Sequence, residues 1–245
     1  MPSLYVLLPA YNEAANIGRV VAGVRALTIP GVTIIPLVVD DGSKDDTAKI
    51  ARDAGAEVIV HPKNRGVGAG FRTGRDHALA AGADYLIHMD SDGQVLPSEI
   101  PLVFAPVHAG EADFAIGSRF LGGARPERLD AWKAFGLSTV ARAIGLATGY
   151  SLHDISCGFR CMNRKVLEAV RPSFDYDYIQ ETLIQALAAA ARIVEVPVTV
   201  LYEKEPARAG MSGHTLRYGR RFLELTAYSM ASFYKTRARK IWSSH

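Results

Sequence analysis

Cysteine is almost missing from this chain: there are two, Cys157 and Cys161, in 245 residues. A disulfide framework is therefore excluded as the basis of the fold, and both are expected as reduced thiols of a cytoplasmic protein. Long apolar runs are missing as well. The best candidate, residues 183–201, is interrupted by Arg192, Glu195 and Pro197, so nothing reaches the ~18–20 residues that a membrane-crossing helix needs. The opening Met1-Pro2-Ser3-Leu4-Tyr5 passes straight into a strand pattern and lacks a signal-peptide layout. Charge of one sign is also scarce. The net value of +3 suits an anionic ligand or a membrane surface, but no interleaved run of aromatic and basic residues offers the stacking groove of a single-strand binder. Nucleic acid is not an expected partner. Finally, His153, Cys157 and Cys161 fall four apart without an evident fourth ligand, which argues against zinc.

What the chain does have is a globular composition: 49% hydrophobic and 22% charged residues, which excludes disorder and suits one large α/β domain. Short runs at 4–9, 34–39, 58–60 and 85–89, apolar except for His88, read as buried parallel strands. Between them lie helical patterns, the first with Ile17, Val20, Val21, Val24 and Leu27 at helical spacing. The next two run to Ala54, where Gly55 is a natural stop, and to about Ala81. This alternation predicts an α/β fold: a single Rossmann-like, mostly parallel sheet flanked by helices.

Beyond it we expect a helix over 97–107, a strand over 114–119, a mostly helical stretch over 125–150 and a polar loop over 154–160. A helix over 178–191 carries Glu181, and a strand over 193–201 contains Pro197, which suggests an edge or a bulge. Residues 203–214 have the composition of a lid. Residues 216–242 read as one amphipathic basic helix, with Tyr218, Phe222, Leu225 and Phe233 opposing arginines and lysines. It either packs on the domain or a partner, or lies on anionic lipid as a peripheral membrane contact. The expected division is 1–214 and 215–245.

Chemistry concentrates in Tyr85-Leu86-Ile87-His88-Met89-Asp90-Ser91-Asp92-Gly93-Gln94. An apolar strand there delivers two carboxylates at its carboxyl end, where open α/β sheets bind ligands. Asp-x-Asp in extended chain puts Asp90 and Asp92 on one side, able to share a hard cation. Mg²⁺ is usually held by one or two carboxylates plus substrate phosphates. Asp, Ser and Gly are also ordinary turn residues, so the pattern alone is weak. Gly66, Gly68 and Gly70 open a helix whose backbone could approach phosphate, but a dinucleotide fingerprint would follow the first strand, not the third.

Several stretches in order resemble the family 2 inverting glycosyltransferases of the A-type fold. They are Pro9-Ala-Tyr-Asn-Glu13, Val39-Asp-Asp-Gly-Ser43 with Asp46-Thr47, Asn64-Arg-Gly66, Met89-Asp-Ser-Asp-Gly-Gln94 and Gly117-Ser-Arg119. With Asp154-Ile-Ser-Cys-Gly-Phe-Arg160 and Glu195-Val-Pro197, the chain is most similar to the dolichyl- or polyprenyl-phosphate mannose synthase branch. That resemblance implies transfer of a sugar, mannose from GDP-mannose first, onto a polyprenyl phosphate.

It implies that Pro9, Tyr11, Glu13, Val38, Asp40 and Ser91 surround the nucleotide, with Arg208 clamping the diphosphate. Asp90, Asp92 and Gln94 hold a divalent cation, Mg²⁺ or Mn²⁺. Arg119, Lys133 and Ser138 take the acceptor phosphate, Lys133 standing near the branch's arginine. Asp92, Arg119 and Glu181 are the implied catalytic set, with Glu181 either a base or an organiser of the acceptor loop. Alternatives are a family 2 enzyme using a UDP-sugar and a soluble hydroxyl or peptide acceptor, a nucleotidyltransferase and, more distantly, a non-enzymatic nucleotide-binding module.

Overall fold

The computed structural model describes residues 1–121, 139–142, 144–146, 148–175 and 178–201, with 231 and 234. Among them, strands β1 (Ser3–Ala10), β2 (Thr33–Asp40), β3 (Glu57–Val60), β4 (Tyr85–His88), β5 (Phe114–Ser118), β6 (Arg160–Asn163) and β7 (Ile193–Pro197) form one sheet. Their order is β3-β2-β1-β4-β6-β5-β7. The helices are α1 (Ile17–Arg25), α2 (Thr47–Asp53), α3 (Val67–Ala80), α4 (Ile100–His108), α5 (Arg164–Ala169) and α6 (Tyr178–Ala188).

β1 is central because both of its faces are apolar: Leu4, Val6, Leu7 and Leu8 are fully buried. A two-sided parallel strand needs that. β2 pairs with one edge of β1 from Ser3↔Thr33 to Ala10↔Asp40, and β4 pairs with the other from Leu4↔Tyr85 to Leu7↔His88. The chain thus winds outward through β2 and β3, then returns to the opposite side of β1. The reversal of strand order opens a crevice between the carboxyl ends of β1 and β4, where α/β sheets hold their ligands. α1 lays Ile17, Val20, Val21 and Val24 on the sheet. Each fully buried side chain of that size contributes about 1.5–3 kcal/mol through its apolar area.

The mostly parallel α/β sheet matches the sequence reading, with local differences. β6 follows the loop expected over 154–160 and takes in its last residue. It is an antiparallel strand between β4 and β5, pairing His88 with Arg160 and Ile116 with Arg160 across its two edges. Arg160 is tolerated inside because its guanidinium donates to the carbonyls of Cys157, Ile179 and Ile155. The helix after Leu96 begins as a 3₁₀ turn, Pro97–Glu99. The strand starting at Ile193 stops at Pro197, on the sheet edge as the proline suggested, and only the Val95↔Val200 bridge continues it. α2 has Asp46 at its start without a side-chain cap. Asp45 instead accepts from the Thr47 backbone. The lid expected over 203–214, most of the helix over 216–242, and the boundary at 214/215 lie outside the described residues. Among those that are described, no helix is long and apolar enough to cross a membrane.

Candidate active site

The crevice between β1 and β4 is a cleft of about 310 Å³ lined by Pro9, Ala10, Tyr11, Glu13, Asp41, Asn64, Gly66, Val67, Asp90, Ser91 and Asp92. Three segments converge there. The turn after β1 is fixed by Asn12, which adopts the left-handed conformation at φ 58°, a region Asn tolerates better than most residues. Its amide donates to Ser43 Oγ at 2.9 Å and its Oδ1 accepts from the Lys44 amide at 2.8 Å. That locks the turn and leaves Tyr11 exposed at the cleft.

The acidic turn after β4 is tied back to β1. The Met89 amide continues the ladder to the Leu7 carbonyl, and the Ser91 hydroxyl donates to the Pro9 carbonyl at 2.7 Å. Asp92 Oδ1 accepts from the Gln94 amide at 2.9 Å, so Gln94 shapes the turn through its backbone. Burial raises the Asp92 pKa above the usual carboxylate range. The Gln94 amide opposes that, while the charges of Asp90 and then Glu13 add to it. Like-charged oxygens facing one cleft are the donor set a divalent cation relieves. No three His, Cys, Asp or Glu side chains among the described residues can hold a metal alone. Two carboxylates completed by ligand phosphate fit the habit of Mg²⁺.

The third segment is the loop before α3. Asp41, not Asp40, reaches the cleft, and its carboxylate accepts from the Arg65 amide at 2.9 and 3.0 Å and from the Gly66 amide at 2.7 Å. Asp40 is buried and accepts from the Ser43 amide at 2.9 Å. Val38 is fully buried in β2. Neither is among the residues that line this cleft, whereas Asp41, the position after β2, is. Asn64, Gly66 and Val67 were not anticipated as cleft residues individually, although the glycine-rich signal pointed to their loop.

Behind the acidic turn, Gly158 packs against Asp90. His88 holds Gly158 in place: Nδ1 donates to the Gly158 carbonyl at 2.6 Å, and Nε2 accepts from the Tyr178 hydroxyl at 2.7 Å. Burial is the largest influence on His88 and lowers its pKa, against Asp90 and the Gly158 bond. A neutral ring is what both hydrogen bonds require.

The remaining expected residues lie elsewhere. Arg119 makes a forked pair with Asp154, Nε to Oδ2 at 2.6 Å and Nη2 to Oδ1 at 2.8 Å, and Nη2 also meets Ser156 Oγ at 2.5 Å. Burial pushes the Asp154 carboxyl up, but the hydrogen bonds and charge of Arg119 outweigh it and hold the group below its ordinary range. Glu195 anchors the same segment through the amides of His153 and Asp154, at 2.9 and 2.6 Å. Glu181 is buried with both oxygens engaged, by the Ser173 amide and hydroxyl, the Phe174 amide and Gln185 Nε2. That is the geometry of a loop organiser. Lys133, Ser138 and Arg208 lie outside the described residues. Cys157 and Cys161 are free and buried, and burial pushes the Cys157 thiol up to about 12, so neither is poised as a nucleophile.

Residues 5–171 match Glycosyl transferase family 2. Over 223 residues the chain is 34% identical to the polyprenol monophosphomannose synthase of Mycolicibacterium smegmatis, covering 86% of this chain and 82% of that one. Over 219 residues it is 28% identical to the UDP-N-acetylglucosamine--dolichyl-phosphate N-acetylglucosaminyltransferase of Methanococcus voltae, covering 81% and 86%. Among solved structures, glucosyl-3-phosphoglycerate synthase from Mycobacterium tuberculosis, in complex with Mn²⁺, UDP-glucose and phosphoglyceric acid, shares the fold at a TM-score of 0.68 and 22% identity. The match covers 94% of this chain and 80% of that one.

Proposed function

The chain belongs to glycosyl transferase family 2, and from that membership we propose that it moves a hexosyl group, mannose from GDP-mannose first, onto a polyprenyl phosphate. The observation that carries the reading is the pair Asp90 and Asp92, set at the β1/β4 switch point across one cleft from Tyr11 and the Asn64–Gly66 loop. Both relatives named above carry a lipid phosphate in their names, and the more similar of the two carries mannose.

In this reading Pro9, Tyr11 and Glu13 frame the base and ribose, and Ser91 fixes the acidic turn against β1. Asp90 and Asp92 hold Mg²⁺ or Mn²⁺ together with the donor diphosphate. When bound, that cation supplies charge neutralisation for the departing nucleoside diphosphate. The acceptor attacks the sugar carbon from the face opposite the leaving group, and the anomeric configuration inverts. A hydroxyl acceptor needs a carboxylate base in reach. Glu181, the base candidate, has both oxygens committed to the 173–174 loop and Gln185, which supports an acceptor that is already an anion. Arg119, Lys133 and Ser138 are the proposed phosphate contacts, Arg208 the proposed diphosphate clamp, and 215–245 the proposed peripheral contact with the membrane.

The test is nucleotide release from GDP- and UDP-sugars with Mn²⁺ or Mg²⁺, with and without a polyprenyl phosphate. Release that needs both cation and lipid phosphate is the expected outcome. Release indifferent to the lipid moves the acceptor to a soluble molecule, and no release with any pairing overturns the proposal.

A further inference from the structure

A histidine that the transfer chemistry leaves unused sits directly behind the cleft. His61 follows β3, is 5% exposed, and lies between two polar groups on different elements. Nδ1 is 2.7 Å from Asp41 Oδ1 and Nε2 is 2.9 Å from Thr73 Oγ1 on α3. A carboxylate only accepts, so Nδ1 carries a proton toward Asp41, and Nε2 is hydrogen-bonded with the Thr73 hydroxyl. The His61 amide also donates to the Asp40 carbonyl at 2.8 Å.

Asp41 is the hub of this chain. Besides His61 it takes the amides of Arg65 and Gly66, and it lines the cleft itself with Asn64, Gly66 and Val67. The two loops are in close contact: a Cβ on Gly42 would fall 2.6 Å from the Lys63 carbonyl carbon, so the 61–66 segment rides directly on the turn after β2. Without the imidazole, Asp41 keeps its amides but loses its side-chain partner on Oδ1.

We propose that His61 is a positioning residue for the nucleotide-sugar donor, acting through Asp41 on the Asn64–Gly66 wall of the cleft. The inference rests on the donor reading given above and names a residue outside its contacts. A loop whose amides are held by a fixed carboxylate keeps its wall of the cleft in place, and misplacement of a binding wall costs affinity before it costs chemistry.

The isosteric pair His61→Asn and His61→Gln separates positioning from packing. Asn places a donor where Nδ1 stood and keeps the Asp41 bond. Gln reaches the Nε2 position and keeps only Thr73. Calorimetric binding of GDP and UDP with Mn²⁺ to the full chain is the measurement. His61→Asn is expected to bind within about threefold of the parent, and His61→Gln roughly tenfold more weakly, the loss of a hydrogen bond to a charged group. Donor KM rises in step, with kcat and the Mn²⁺ dependence unchanged. Equal affinity in the two variants overturns the inference, whether both match the parent or both fall alike. Absence of nucleotide binding by the parent chain overturns instead the donor reading beneath it. If the histidine variants do not fold, Thr73→Val removes the hydroxyl that steadies the ring. The nucleotide Kd then rises roughly threefold if the inference holds, and an unchanged Kd overturns it.

Discussion

Gly158 lies against the Asp90 carboxylate so closely that a Cβ at 158 would fall 2.9 Å from Oδ2 and 3.3 Å from Oδ1. The backbone there is pinned by the His88 imidazole at 2.6 Å, so the glycine cannot retreat and the carboxylate must turn. Gly158→Ala is therefore expected to rotate Asp90 away from Asp92. Overpacking of this kind costs about 1–3 kcal/mol. The more telling result is kinetic: the Mn²⁺ concentration for half-maximal turnover rises roughly tenfold, as for a lost support of a metal ligand. An unchanged metal dependence in a folded Gly158→Ala protein would falsify the assignment of Asp90 to the cation.

Asp92 should trade stability against function. Its pKa is raised by burial first and then by Asp90 and Glu13, so the folded state favours the neutral form more than the unfolded chain does. The sign follows. The stability contribution is fully present below the ordinary carboxylate pKa and is lost as pH rises through the raised value. Without cation at pH 7, Asp92→Asn is expected to melt higher than the parent, with the gap closing toward pH 3. Turnover of the same variant falls roughly 10²–10³-fold, since the cation is worth several kcal/mol of charge stabilisation. Parallel melting curves at the two pH values, with and without Mn²⁺, check the first claim and the nucleotide-release assay checks the second.

The parts of the fold that were legible from sequence are those where one short run of residues carries the whole signal. β1, β2 and β4 each carry an apolar run because those runs lie inside the sheet, and Asp90 and Asp92 stand out because β4 ends just before them. What was not legible depends on partners far along the chain. Arg160 reads as the end of a polar loop but opens β6, because the carbonyls of Cys157, Ile155 and Ile179 satisfy its guanidinium, and no local pattern announces that. Asp154 falls in the expected polar loop, yet it is fully buried against an arginine 35 positions away. The choice between Asp40 and Asp41 is a matter of which way one strand end turns, and neighbouring identical residues give no sequence clue to it.

The Arg119–Asp154 pair yields an acid-stability prediction. Asp154 is fully buried and the Arg119 side chain is 14% exposed, so removing the carboxylate takes away the charged half of the fork that holds the guanidinium. Asp154→Ala is expected to cost about 3–5 kcal/mol, the range for breaking a buried pair from one side. Because the folded pKa of Asp154 is depressed, its contribution is present above the ordinary carboxylate pKa and is lost as pH falls through the lower folded value. Urea midpoints of the parent chain should therefore drop between pH 5 and pH 2, and the Asp154→Ala protein should show a shallower drop over the same window. Superimposable pH dependences would mean that Asp154 is not the group responsible.

Glu181 decides between two acceptor chemistries. Each of its oxygens receives two donors. Oε2 takes the Ser173 and Phe174 amides at 2.7 and 3.0 Å, and Oε1 takes the Ser173 hydroxyl and Gln185 Nε2, each at 3.0 Å. The loop it holds reaches α3, where the Gly68 amide donates to the Asp175 carbonyl at 2.7 Å. Glu181→Gln replaces one acceptor oxygen with an NH₂ facing N–H or O–H donors, so about 1–3 kcal/mol of stability should be lost. A general base contributes typically 10²–10⁴-fold, and its removal would erase the acidic limb of the pH–rate profile. A loop organiser does neither. We expect Glu181→Gln to melt several degrees lower, to keep kcat within about tenfold at a temperature where it is folded, and to leave the pH profile in place. A loss beyond 10²-fold with the acidic limb gone would return Glu181 to the role of base, and with it the acceptor to a hydroxyl compound.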